Sequence, residues 1–205
     1  MKEPNIHLGY FDPTEDKHVS NPGMGLIGYV FSYHMHTGLS RRSWVWTETN
    51  DNNRKLDKKS FEEFLKLPYV DNIYLRVEWC DIHKAPGKLE LPREFKWVLE
   101  AVEKYNKRWS FRVMNSSPHS PYETSVPEFL LDKMEYENYW HNHSQVKPWP
   151  KKYPKYTEEY FKWWGELVNL VADRFDNHPL LEFSEISGFG HWGEAHHYAS
   201  YTGPD

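Results

Sequence analysis

One cysteine, Cys80, stands in 205 residues, so no internal disulfide framework braces this chain. No stretch approaches 18 consecutive apolar residues, and the opening MKEPNIHLGYFDPTED lacks the apolar core of a secretion leader. A basic excess is missing too: 25 Lys and Arg stand against 30 Asp and Glu, a net charge of −5, which argues against a phosphate-binding face for nucleic acid. Internal repeats, low-complexity tracts and Gly/Ser linkers are absent, and the chain reads as one compact unit. What the sequence has in abundance is aromatic: 10 Trp, 14 Tyr and 11 Phe, joined by 12 His. Disorder needs few aromatics and high net charge, and so is excluded.

Along the chain, residues 1–20 are polar and irregular, and Asn21-Pro22-Gly23-Met24-Gly25 forms a turn cluster feeding a buried strand over Leu26 to Phe31. Residues 32–57 read as a long polar loop, followed by a short helix with Phe61, Phe64 and Leu65 on one face. Asn72 to Trp79 reads as a second strand. There Ile73, Leu75 and Val77 share one face, and Tyr74, Arg76 and Glu78 the other. Pro92 opens a helix carrying Phe95, Val98, Leu99, Val102 and Tyr105 at helical spacing. Trp109 to Asn115 is a third strand, with Phe111 and Val113 opposite Arg112 and Met114. A proline-rich loop of about forty residues follows, and loops of that length are usually functional or disordered. Thr157 caps the strongest helix, whose stripe is Phe161, Trp164, Leu167, Val168, Val171, Ala172 and Phe175. A fourth strand, Leu180 to Ser187, runs into Gly188 to Glu194.

This alternation of strand and helix is the rhythm of parallel α/β folds. A doubly wound sheet is apolar on both faces, whereas here Arg76, Glu78 and Arg112 point inward from two strands, which favours a barrel interior. No Gly-rich phosphate loop follows a strand, since the first strand leads into FSYHMHTG. The expectation is therefore a (β/α)8 TIM barrel with only its first four strands present, a half-barrel over residues 21–205.

In such barrels chemistry sits on the loops after the strands' carboxyl ends. Those loops carry Tyr33, His34, His36, Trp44 and Trp46, then Trp79, Asp81 and His83, next His119, Tyr122, Tyr136, Tyr139, Trp140, His141, His143 and Trp149, and finally His191, Trp192, Glu194, His196 and His197. Flat rings beside hydrogen-bonding groups suit a sugar, which offers an apolar C–H face and a polar rim. About half of these rings are expected simply to pack the long loops down. Glu194 is the sharpest candidate: behind Trp192 and Gly193, in a partly apolar pocket, its carboxyl would be raised enough in pKa to act as a general acid. Its bland alternative is an exposed loop or cap carboxylate. Arg76, Glu78, Arg112 and Glu185 form an expected charged network. Within it Arg112 and Glu185 fit structural pairing, and Arg76 with Glu78 fits holding substrate or tuning a catalytic carboxylate. The run HWGEAHH offers His191, Glu194, His196 and His197 as ligand types, but the HExxH spacing is absent, so neither metal nor cofactor is expected.

Taken together, NPGMG before the first strand, YLRVEWCDIHKAPGKLEL around the second, WSFRVMNSS and LEFSEISGFGHWGEAHH resemble one group. It is a set of bacterial glycoside-hydrolase-like (β/α)8 proteins of β-galactosidase-like type. The matching residues are Asn21 to Gly25, Arg76, Trp79, Asp81, Gly87, Arg112 to Met114, and Gly190, Trp192, Gly193, Glu194 and His196. The resemblance implies a retaining glycosidase whose acid/base glutamate follows the fourth strand, the position of Glu194. Such enzymes commonly place Asn before that glutamate, where Gly193 stands here. Arg76, Glu78, Trp79, Asp81, His191, Trp192 and His196 would then hold the sugar. Retaining hydrolysis needs a second carboxyl about 5 Å away, which the resemblance places beyond residue 205. The partner expected is a carbohydrate, with no nucleic acid and no membrane, and with self-association through exposed barrel edges if the chain is this short. Two other readings stand beside the hydrolase. One is a carbohydrate-binding protein without catalysis, and the other a metal-dependent hydrolase built on His191 to His197.

Overall fold

The computed structural model describes residues 26–31, 58–118, 122–143, 146–186 and 188–195. Its main sheet has four parallel strands, β1 (Leu26–Phe31), β2 (Val70–Glu78), β5 (Arg108–Met114) and β8 (Leu181–Glu185), in that spatial order. Between them run α1 (Lys58–Leu65), α3 (Arg93–Lys104) and α4 (Glu158–Phe175). A short α2 (Trp79–Ile82) and a small hairpin of β3 (His83–Ala85) and β4 (Lys88–Leu89) follow β2 directly. A second antiparallel ribbon joins β6 (Tyr136–His143) to β7 (Val146–Pro154).

Strand alternation sorts the sheet into two unlike faces. Ile73, Leu75 and Val77 of β2 and Trp109, Phe111 and Val113 of β5 are buried against Phe61, Phe95, Val98, Leu167, Val171 and Phe175 of the helices. The opposite face carries Asn72, Tyr74, Arg76 and Glu78 beside Arg108, Ser110 and Arg112. In β8 the register skips Glu182, which lies between the partners of Trp109 and Ser110. That extra residue is a bulge, which brings Phe183 to the polar face beside Glu182; there Glu182 accepts from Asn72 Nδ2 at 2.5 Å and pairs with Arg108 at 3.1 Å.

Local signals explain the helices. Thr157 Oγ1 accepts from the Tyr160 N–H at 3.3 Å, and Glu158 and Glu159 occupy the positive end of α4. The buried stripe of α4 is Tyr160, Trp163, Trp164, Leu167, Val171 and Phe175. Phe161, expected in that stripe, is 58% exposed and stacks on Tyr156 instead. Asn106, at φ +50°, ends α3, while Lys107 N–H bonds back to Val102 and Asn106 N–H to Glu103. This is a Schellman closure with Asn in the left-handed position.

The half-barrel expectation is corrected. The chain forms a mixed α/β arrangement in which a parallel sheet is accompanied by two small antiparallel sheets. The barrel argument rested on charged residues pointing to an enclosed interior, but Arg112 pairs with Glu185 across the sheet face, both arginines pair with Glu194 of the loop after β8, and Glu78 is buried against Ser125. Part of that face stays open, with Phe183 39% exposed. The segment after β5, read as one long loop, makes the β6–β7 ribbon, which belongs to no strand–helix repeat. The first twenty residues and the 32–57 loop lie outside the described residues, as does most of the side-chain detail of β1.

Candidate functional site

Arg76 and Arg112 face one another in the register of β2 and β5, and Arg112 faces Glu185 in the register of β5 and β8. Three charged residues thus stand side by side near the carboxyl ends of three strands, where parallel sheets commonly place ligands. Glu194 completes the cluster from the loop after β8. Its Oε1 accepts from Arg76 Nη2 at 2.8 Å and from Arg112 Nη1 at 2.8 Å. Arg112 also donates from Nε to Glu185 Oε2 at 2.6 Å and from Nη1 to the Trp192 carbonyl at 3.0 Å. Tyr74 donates its hydroxyl to the same Glu185 oxygen.

Electrostatics set the protonation of this cluster. Partial burial works to raise the Glu194 carboxyl, but hydrogen bonds and charge from Arg76 and Arg112 outweigh it, and the carboxyl is held below its ordinary value. Glu185 follows the same pattern, with burial opposed by Arg112 and Tyr74. The sequence argument for a raised, proton-bearing Glu194 is therefore reversed: the neighbours that matter are two guanidiniums rather than an apolar wall. Its side chain remains 37% exposed, open to a ligand.

The loop that delivers Glu194 is built from unusual backbone. Gly188, Gly190 and Gly193 take positive φ, and so do Trp192 at +55° and Ala195 at +54°. Tyr160 donates to the Gly188 carbonyl at 2.5 Å, and the Trp192 N–H donates to the Ser116 carbonyl at 2.7 Å. Non-glycine residues in the left-handed region persist only where surrounding contacts over-determine them. His191, almost fully buried, sits between Tyr139 and Tyr153 with ring centroids 5.2 and 5.1 Å away, and its Nδ1 lies 3.0 Å from Ser116 Oγ. The half-buried Trp192 ring lies 6.0 Å from His191.

The remaining candidates are dispersed. Trp79 is fully buried in the core, edge-on to Tyr160 and Trp164, with Nε1 donating to His83 Nδ1 at 3.0 Å; it is a packing residue, not a sugar platform. Glu78 does not pair with Arg76 as expected from their shared face. It lies buried at the end of β2 and accepts from Ser125 Oγ, and burial pushes its carboxyl up to about 8. Asp81, mostly buried, accepts from Tyr122 Oη at 3.0 Å and lines two clefts of about 680 and 620 Å³ beside the β3–β4 hairpin. His196, with His197, lies outside the described residues. Among the described residues no group of three or more His, Cys, Asp or Glu is placed to hold a metal ion.

Sequence reading placed Tyr139 among the candidate loop aromatics but missed Tyr74, Ser116, Lys151 and Tyr153. Tyr74 was discoverable, since it shares the Arg76 face two residues upstream. The other three reach the site from segments without a periodic signal. Comparisons with family models, with curated proteins and with solved structures give no match.

Proposed function

We propose that this chain carries a carbohydrate site of the glycoside hydrolase type in which Glu194 is the working carboxylate. The observation that carries the reading is the convergence of Arg76 and Arg112 on Glu194 Oε1, each at 2.8 Å, at the carboxyl ends of parallel strands. A half-exposed carboxylate between two guanidiniums is a dense set of acceptors and donors for sugar hydroxyls, and the Trp192 ring two residues away supplies a flat apolar neighbour. The motif resemblance adds to this.

Glycoside hydrolysis needs one carboxyl protonated and one ionised. With its carboxyl held low, Glu194 fits the ionised role, that of nucleophile or base, better than the acid role implied by its position in the motif. The test is hydrolysis of a panel of nitrophenyl glycosides by the full chain and its E194Q variant. Turnover that disappears in E194Q supports the reading, and turnover that survives the change removes it.

A second reading is a carbohydrate-binding protein without turnover. It is favoured by the two ionic bonds on Glu194, which leave that carboxyl no proton to donate. Titration calorimetry with the same sugars separates the two, because E194Q in a pure binder keeps most of its affinity while no glycoside is cleaved.

A further inference from the structure

Glu78 and Lys151 are among the most deeply buried charged groups described, with 0% and 2% of their surfaces exposed. They come from different parts of the fold, Glu78 ending β2 and Lys151 lying in β7. Ribbon register sets Lys151 opposite Tyr139 of β6, and strand alternation puts Tyr153 on the same face as Lys151. One ribbon face thus presents an ammonium and two phenol rings to the body of the protein. Both rings reach His191, and the Tyr153 hydroxyl accepts the Gly190 N–H at 3.1 Å. The face that carries Lys151 therefore also braces the turn that delivers Glu194.

The two buried groups are tied to one connecting segment. Lys151 Nζ donates to the Tyr122 carbonyl, and Ser125 Oγ donates to Glu78. Among the described residues, the ionisable groups acting on Glu78 include Asp81 of α2 and Lys151, with Ser125 and Ser117 as hydrogen-bonding neighbours; those acting on Lys151 include Glu78, Cys80 and Glu123. We propose that Glu78 and Lys151 form a pH-responsive latch holding the β6–β7 ribbon, and through Tyr139 and Tyr153 the His191–Glu194 turn, against the carboxyl end of β2.

Protonation gives the latch its sign. Burial pushes the Glu78 carboxyl up to about 8 and the Lys151 ammonium down to about 8. A lifted ribbon returns both groups to water and to their usual values of 4.5 and 10.5. Between 4.5 and about 8 the closed form keeps a proton on Glu78 that the open form releases, so rising pH favours opening. Between about 8 and 10.5 the open form holds a proton on Lys151 that the closed form has lost, so rising pH favours closing. Opening peaks near pH 8, changing by at most about tenfold per pH unit on either side, the limit for one proton.

Hydrogen exchange of the full chain, read by mass spectrometry at about pH 6, 8 and 10 and corrected for intrinsic chemical rates, tests this. The readout is exchange of the 146–154 segment relative to α4. The expected result is a maximum of ribbon opening near pH 8 in the wild-type chain. E78Q should keep only the fall above that pH, K151M only the rise below it, and E78Q/K151M neither. A flat wild-type ratio overturns the latch, and that arm needs no variant to fold. A maximum that persists in the double variant overturns it equally.

Discussion

Arg76 and Arg112 stand directly opposite each other on adjacent strands, and both donate to the same oxygen of Glu194. Like charges in opposed positions destabilise a sheet unless something between them carries the opposite sign. Glu194 and Glu185 supply it, so the site and the stability of this sheet end are one network.

Arg112 is the hub of that network, reaching Glu185, Glu194 and the Trp192 carbonyl, whereas among the described residues Arg76 forms its ion pair with Glu194. Arg112→Met should lower the unfolding free energy by about 1–3 kcal/mol, from charged hydrogen bonds left unmade. Arg76→Met should cost less. Urea denaturation of both variants checks the order, and equal losses would show that Arg112 is not the hub.

The acid limb of stability follows from Glu185 and Glu194. Both carboxyls are held below their usual 4.5, so each contributes stability that is present above that value and lost as pH falls beneath it. Glu194→Gln should therefore melt below wild type at neutral pH, with the gap closing as the solution is acidified through 4.5. Melting temperatures across an acid series measure it, and a gap that stays constant would contradict the assignment.

Trp79 belongs to the core, against Tyr160 and Trp164. Trp79→Ala should cost about 3–5 kcal/mol, the usual range for emptying a large buried ring. Trp79→Phe should lose less and leave any sugar affinity unchanged. Calorimetric titration of Trp79→Phe decides this, since altered affinity at unaltered stability would return Trp79 to the site.

Two glycines should respond in opposite directions to alanine. At Gly188, with φ +62°, an added Cβ would sit 2.2 Å from Trp164 Nε1, and overpacking of that kind costs about 1–3 kcal/mol. At Gly165, inside α4, an added Cβ meets nothing within 4 Å, and Gly165→Ala should gain about 0.5–1 kcal/mol from helix propensity. Thermal unfolding of the pair gives both signs in one experiment.

Much of the main sheet was legible in the residues. The alternation over 72–79 separated Ile73, Leu75 and Val77 from Tyr74 and Arg76, and the structure keeps that division. Thr157 caps its helix as its residue type suggests. The ribbon was hidden because Pro148, Pro150 and Pro154 look like breaks. A two-stranded ribbon accommodates them, since each strand has an open edge on which a missing N–H is harmless. Barrel closure was inferred from polar inward residues, yet Arg112 finds Glu185 across the sheet and Arg76 finds Glu194 in the following loop without any closed interior. For Glu194, the composition of its own loop was the wrong guide. What sets its charge is Arg76 and Arg112, more than eighty residues away in sequence.

Trp192 and Ala195, flanking the Gly193–Glu194 pair, hold left-handed conformations that cost roughly 1–2 kcal/mol each for residues bearing a side chain. Left to its own preferences, this stretch of chain would carry the carboxylate elsewhere. Glu194 is thus held like a drawn spring with several catches: Arg76 and Arg112 on its carboxylate, Arg112 on the Trp192 carbonyl, and Ser116, Tyr153 and Tyr160 on the turn behind it.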